Sequence, residues 1–186
     1  MSMNELTKKE MLKYFEELNN RLARREKYGE IIIAGGAALT LVFNARESTL
    51  DIDALFHPSE DMRQIIESMA NDYELPPDWL NDGVKGYITD KMKFEEFLKY
   101  SHLTISNVDA ESLLAMKLIA ARVNTKDMDD SIFLMNALGV KAEKDLFDII
   151  EMYTHPSQRT IGSKYFTKTA FVKYQEASKL LTMANS

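Results

Sequence analysis

One stretch of the chain, from Ile31 to Phe56, constrains the fold more than any other. It contains two apolar runs of β type with a short helical pattern between them. The first run, Ile31–Ile33, is typical of a buried strand. Gly35 and Gly36 follow it and form a break at which the backbone can approach a ligand closely. The order strand, glycine turn, helix and strand is therefore predicted for this stretch.

The second apolar run carries two acidic residues on one face. From Leu50 to Phe56 apolar residues alternate with Asp51, Asp53 and Leu55. The two carboxylates then lie roughly 6–7 Å apart along the strand. Mg²⁺ would keep both ionised, because it prefers oxygen ligands and shares its shell with substrate phosphates. The glycine turn before a helix offers N–H groups and a positive helix end to those phosphates. A solvated edge strand and a tight turn that merely needs glycine are the alternative.

These residues resemble the signature of a known superfamily. Gly35-Gly36-Ala37-Ala38-Leu39, a helix, Arg46 and then Asp51-Ile52-Asp53 look like the motifs of the nucleotidyltransferases, which have the polymerase-β-like fold. The likeness is closer to small bacterial nucleotidyltransferase-like domains related to the abortive-infection toxin group, and it covers roughly Ile31 to Leu138. It implies that Gly35, Gly36, Ala37 and Arg46 bind a triphosphate, and that Asp51 and Asp53 bind catalytic Mg²⁺.

A lysine lies in the middle of a nearly all-apolar helix, which is predicted from Ser112 to Val123. Lys117 has four apolar residues on either side, and a buried lysine is rarely tolerated without a partner. It either extends along the apolar surface to water or turns into a site, where it holds phosphate or pairs with a carboxylate. The toxin-like families carry a lysine at the matching place, which implies the second interpretation.

Two further acids begin the next helix, which is predicted to start at Lys126 and end at Gly139. Asp127 and Asp130 are three residues apart and therefore share a helix face. Acids in a first turn commonly just complement the helix dipole. The resembling families use one acid of this Asp-x-x-Asp unit at the active centre. The resemblance therefore implies that Asp127 or Asp130 orients or deprotonates the acceptor hydroxyl.

One expected carboxylate is missing. In the polymerase-β-like family a third catalytic carboxylate stands on a strand after the crossover. The strand predicted here from His102 to Ser106 has only His102, Thr104 and Ser106 on its polar face. Asp109 follows the strand and is interpreted as a helix cap. A standard mechanism with three carboxylates and two metals is thereby in question.

The remaining patterns complete an α+β fold. Helices are predicted at Glu5–Tyr28, from Pro58 onward, at Lys141–Tyr153 and at Phe171–Met183, a short strand at Val84–Ile88, a short helix or loop at Met92–Tyr100, and irregular chain at Arg159–Phe166. We expect a small mixed sheet of nucleotidyltransferase type, with about three to five strands and helices on one side. The sheet belongs to an α/β core (1–110), and a helical C-terminal part (111–186) packs on it.

The composition excludes several classes of protein. The chain has no cysteine, so disulfides and thiolate metal sites are absent. A net charge of −6 argues against non-specific nucleic-acid binding but leaves a local basic groove open. No apolar run approaches the ~20 residues that span a membrane, and no signal-peptide pattern opens the chain, so a cytoplasmic protein without membrane contact is expected. The G-x-G-x-x-G motif of dinucleotide-binding oxidoreductases and the G-x-S-x-G motif of hydrolases with a serine nucleophile are both missing, which argues against these two classes.

The resemblance implies Mg²⁺-dependent transfer of a nucleoside monophosphate from an NTP to an acceptor. The acceptor stays open between RNA (tRNA, for example), a protein and a small molecule. Three alternatives also stay open: a catalytically inactive domain that binds a nucleotide or a partner, the toxin of a toxin–antitoxin pair with a protein antitoxin, and a homodimer formed through the C-terminal helices.

Overall fold

The computed structural model describes residues 5–120 and 125–184. Its strands are β1 (Leu6–Thr7), β2 (Gly29–Ile33), β3 (Ser48–Thr49), β4 (Ile52–His57), β5 (Leu80–Asn81), β6 (Phe94–Lys99) and β7 (Leu103–Val108). Its helices are α1 (Lys8–Arg24), α2 (Gly35–Leu41), α3 (Ser59–Asp72), α4 (Ala110–Ala120), α5 (Thr125–Leu138), α6 (Glu143–Tyr153) and α7 (Ile161–Ala184). The predicted α+β class is confirmed.

These elements form two compact units. The first holds the described residues up to Gly86 together with Phe94–Val108, and it contains all seven strands. The second holds Tyr87–Lys93 together with the described residues from Asp109 onward, and it contains α4 to α7.

The first unit is built on a five-stranded mixed sheet with the order β5-β4-β2-β7-β6. β2 pairs antiparallel with β4 and parallel with β7. β5 lies parallel to β4, so α3 forms the crossover between two neighbouring strands. One sheet face is apolar and buried, with Ile31, Ile33, Ile52, Ala54 and Ile105. α1 contacts α3 and β7, and α3 contacts β4, so helices lie on one side of the sheet as predicted.

Four sequence predictions about the type or the bounds of an element, three in the first unit and one at α7, were wrong. Met92–Tyr100 contains strand β6, an exposed sheet edge with an irregularity between Glu96 and Leu98, so it lacks the alternating pattern of a half-buried strand. Val84–Ile88 is not a strand, because a 3₁₀-helix spans Gly83–Gly86.

Two predicted helix bounds also differ from the structure. The first helix ends at Arg24 and not at Tyr28, because Glu26 takes a left-handed conformation (φ 53°), and Gly29 is the first residue of β2. α7 begins ten residues before the predicted Phe171.

The second unit is centred on α4, which contacts α5, α6 and α7. α4 is apolar on nearly all sides, as expected for a fully enclosed helix. Asp109 caps it as predicted, since its Oδ1 accepts a hydrogen bond from Ser112 N at 2.8 Å. The predicted continuation of this helix beyond Ala120 lies outside the described residues. None of the described helices is both long enough and apolar enough to cross a membrane.

Candidate functional site

The predicted glycine turn and the predicted aspartate strand meet in the first unit. β2 ends at Ile33 and α2 begins at Gly35, whose φ of +56° is left-handed. A Cβ atom at Gly35 would lie only 2.7 Å from Asp53 Oδ2, so glycine is required both by the backbone conformation and by the neighbouring carboxylate. Ala34 N donates to Asp53 O at 2.9 Å and ties the turn to β4.

The second glycine of the turn faces different groups. A Cβ at Gly36 would collide with the Thr49 hydroxyl and would lie 3.1 Å from Arg46 Nη1. The structure therefore brings the Arg46 guanidinium to the turn, where the resemblance required it. Ala37 is fully buried, so its side chain packs in the core and only its backbone could serve a ligand. The Thr40 hydroxyl donates to Gly36 O at 2.9 Å and is used within its own helix.

The two aspartates lie at the start of β4, where Asp53 is in the strand and Asp51 immediately precedes it. Asp51 and Asp53 are half-buried, whereas Ile52 and Ala54 between and beside them are fully buried on the opposite face. The predicted alternation is confirmed for these residues. Leu50 is 48% exposed, because it precedes the strand and does not reach the core.

One neighbour of the aspartates was missed by sequence reasoning. Asn81 on β5 lies opposite Asp53 in the β4–β5 pairing, and its Nδ2 is 3.4 Å from Asp51 Oδ2. Its only local signal is the Asp82-Gly83 pair, a turn dipeptide that follows it directly. A Cβ at Gly83 would lie 3.9 Å from Asp53 Oδ1, so this turn borders the same carboxylates.

The donor set fits a magnesium ion that binds together with a nucleotide. Mg²⁺ is commonly bound by one or two carboxylates, and substrate phosphates and waters complete its octahedral shell. Asp53 supplies one carboxylate beside the turn at Gly35, and Asp51, two residues before it, would supply the second. Across residues 5–120 and 125–184, no group of three His, Cys, Asp or Glu side chains is placed to hold a metal. Thr104 and Ser106 on β7 offer no carboxylate, as the sequence indicated.

The second unit holds a separate charged cluster. Lys117 Nζ on α4 lies 2.7 Å from Asp127 Oδ1 and 2.8 Å from Asp130 Oδ2, both on α5. The exposed fractions of these side chains are 11%, 11% and 4%. Lys117 therefore does not extend to water. It pairs with both carboxylates, and the predicted shared face of Asp127 and Asp130 is confirmed.

The structure thus places the predicted residues in two groups. Gly35, Gly36, Arg46, Asp51 and Asp53 lie together in the first unit. Lys117, Asp127 and Asp130 lie together in the second unit. Their roles in binding or catalysis stay predictions.

Comparison with known proteins identifies the family of the chain. No curated protein and no solved structure matches the chain. A family model does match residues 9–179, and it is described as nucleotidyltransferase of unknown function (DUF6036). The matched range includes both groups of residues, and it extends beyond the motifs into α1 and α7. The chain therefore belongs to this nucleotidyltransferase family of unknown function.

Proposed function

We propose that the protein is a Mg²⁺-dependent enzyme that transfers a nucleoside monophosphate from an NTP to an acceptor and releases pyrophosphate. The observation that carries the proposal is the contact between Gly35 and Asp53, because it joins a turn suited to phosphates with a carboxylate suited to a metal. Membership of a nucleotidyltransferase family supports the same reaction class.

Each residue of the first group has a role in this proposal. Asp51 and Asp53 would hold Mg²⁺, which supplies charge neutralisation at the phosphates. The backbone N–H groups of the turn at Gly35 and Gly36 would donate to phosphate oxygens. The Arg46 guanidinium, which lies beside Gly36, would add charge-assisted hydrogen bonds to the triphosphate.

The second group would act on the acceptor. Asp127 or Asp130 would orient the acceptor hydroxyl or take its proton, and Lys117, which pairs with both, would hold the two carboxylates in place. Asp127 is the better candidate for contact with an acceptor, since its side chain is 11% exposed and that of Asp130 is 4% exposed.

A transfer assay tests the proposal. The full-length protein is incubated with Mg²⁺, each α-labelled NTP and either total RNA or a cell extract, and a parallel series uses γ-labelled NTP. We expect label from the α-position, and none from the γ-position, to appear on RNA, protein or a small molecule. Asp53→Asn should abolish the transfer. Asp78→Asn, which changes an exposed carboxylate of the same unit, should leave it intact.

The second candidate function is a nucleotide-binding module without turnover. The lack of a third carboxylate on β7 favours it, because the arrangement of three carboxylates that is usual in the polymerase-β-like family is then incomplete. Mg²⁺–NTP binding that needs Asp53, with no transfer to any acceptor, would support this function over the enzyme. Growth arrest on expression that Asp53→Asn relieves would identify the enzyme as a toxin.

A further inference from the structure

The Asn81 side chain makes three hydrogen bonds, although it lies on an edge strand of only two residues. Its Nδ2 donates to Asp51 Oδ2 at 3.4 Å and to Asp78 O at 3.3 Å, and its Oδ1 accepts from Gly83 N at 2.9 Å. The Gly83 N–H can only donate, so it fixes which end of the amide is oxygen. The amide NH₂ group must therefore face Asp51.

The turn that begins at Asn81 is in contact with both aspartates of the site. Asn81 lies opposite Asp53 in the parallel β4–β5 pairing, and Gly83 borders Asp53 from the same side. Asp82 between them forms an ion pair with Arg63 of α3. The turn is thus anchored to the helix that connects β4 to β5, and it can hold the carboxylates in a fixed orientation.

We propose that Asn81 is a positioning residue for the metal site, which orients the Asp51 carboxylate towards the ion; this rests on the proposed function. A neutral amide suits the task, because it fixes a carboxylate oxygen without bringing a positive charge that would compete with Mg²⁺. Hydrogen bonds to metal-binding side chains commonly change metal affinity by 10–100-fold when they are removed.

Two substitutions separate this role from a purely structural one. The contact of Asn81 Oδ1 with Gly83 N is a turn-forming hydrogen bond, which alone would explain an asparagine here. Asn81→Ser keeps an oxygen that can accept from Gly83 N but removes the amide donor. Asn81→Gln keeps an amide that can reach Asp51 but lengthens the side chain and disturbs the turn. Metal affinity should therefore be retained in the variant that keeps the amide donor, and thermal stability in the variant that keeps the hydrogen bond to Gly83 N.

The experiment titrates the full-length protein with Mn²⁺ as a probe and measures free Mn²⁺ by electron paramagnetic resonance. We expect Asn81→Ser to weaken Mn²⁺ binding by about tenfold or more and Asn81→Gln to retain most of the affinity. Asn71→Ser, at an exposed asparagine of α3, should leave binding unchanged.

Unchanged Mn²⁺ affinity in Asn81→Ser, or a loss confined to Asn81→Gln, would overturn the positioning role and leave the metal site standing. If the wild-type protein binds no Mn²⁺, or binds it as strongly as Asp53→Asn does, the metal site itself is overturned, and the role of Asn81 with it. The two failures are therefore distinguishable.

Discussion

Two pairs of aspartates in this protein have opposite environments. Asp51 and Asp53 are half-buried at the start of β4, where Asp53 lies beside the glycine turn and Asp51 accepts a hydrogen bond from the Asn81 amide. Asp127 and Asp130 lie on one helix face, buried, and Lys117 pairs with both. The half-buried pair lies beside a turn that only glycine can occupy, and in the proposed function it takes a cation from solution. The buried pair receives its cation from the chain itself.

The buried cluster is a costly way to hold two helices together. Transfer of charges out of water carries a penalty that the attraction between them often only balances. Apolar side chains of similar size would join α4 to α5 at least as well. Stability alone therefore does not account for a charged cluster at this place, and the acceptor role is the proposal for it.

The largest effect is expected when the internal cation is removed. Lys117→Met leaves two buried carboxylates without their partner, so we expect the free energy of unfolding to fall by about 3–5 kcal/mol. Urea unfolding followed by circular dichroism measures it. Lys173→Met, which changes an exposed lysine of α7, should stay within about 0.5 kcal/mol of wild type. Equal stability of the two variants would show that Lys117 does not neutralise the buried aspartates.

A smaller effect is expected at the glycine turn, and the chain offers a matched control. Gly35 and Gly139 both have a left-handed backbone, with φ of +56° and +64°. Gly35→Ala and Gly139→Ala should each lose about 1–2 kcal/mol of stability from backbone strain. Only Gly35→Ala should also lose Mn²⁺ binding, since its Cβ meets Asp53 Oδ2, whereas a Cβ at Gly139 has no atom of the described residues within 4 Å apart from its neighbours in the chain. Mn²⁺ titration and urea unfolding of both variants check this, and equal Mn²⁺ affinities would contradict it.

The parts of the fold that the sequence predicted are those set by local pattern. Four features depend on only a few neighbouring residues each: the glycine turn, the alternation around Asp53, the cap at Asp109 and the apolar helix around Lys117. Burial of the single tryptophan likewise follows from its own side chain, since Trp79 is fully buried and its Nε1 donates to Ile66 O at 3.2 Å.

The parts that the sequence did not predict depend on pairing between distant residues. β6 is a strand because it pairs with β7, and its own residues are mostly exposed. Asn81 lies beside Asp51 because β5, a strand of two residues, pairs parallel with β4. No periodicity can develop over two residues, so this neighbour of the site had no signal of its own. The pairing of Lys117 with both Asp127 and Asp130 likewise needed the packing of α4 against α5.

The smallest effect on stability belongs to the central claim, that the first aspartate pair takes a divalent cation from solution. Asp53→Asn and Asp127→Asn are compared by equilibrium titration with Mn²⁺, with Asp129→Asn, an exposed acid of α5, as the control. We expect Asp53→Asn to abolish Mn²⁺ binding while its unfolding free energy stays within about 0.5 kcal/mol of wild type, and both α5 variants to bind Mn²⁺ as wild type does. Binding that survives Asp53→Asn, or that disappears only with Asp127→Asn, would contradict the claim.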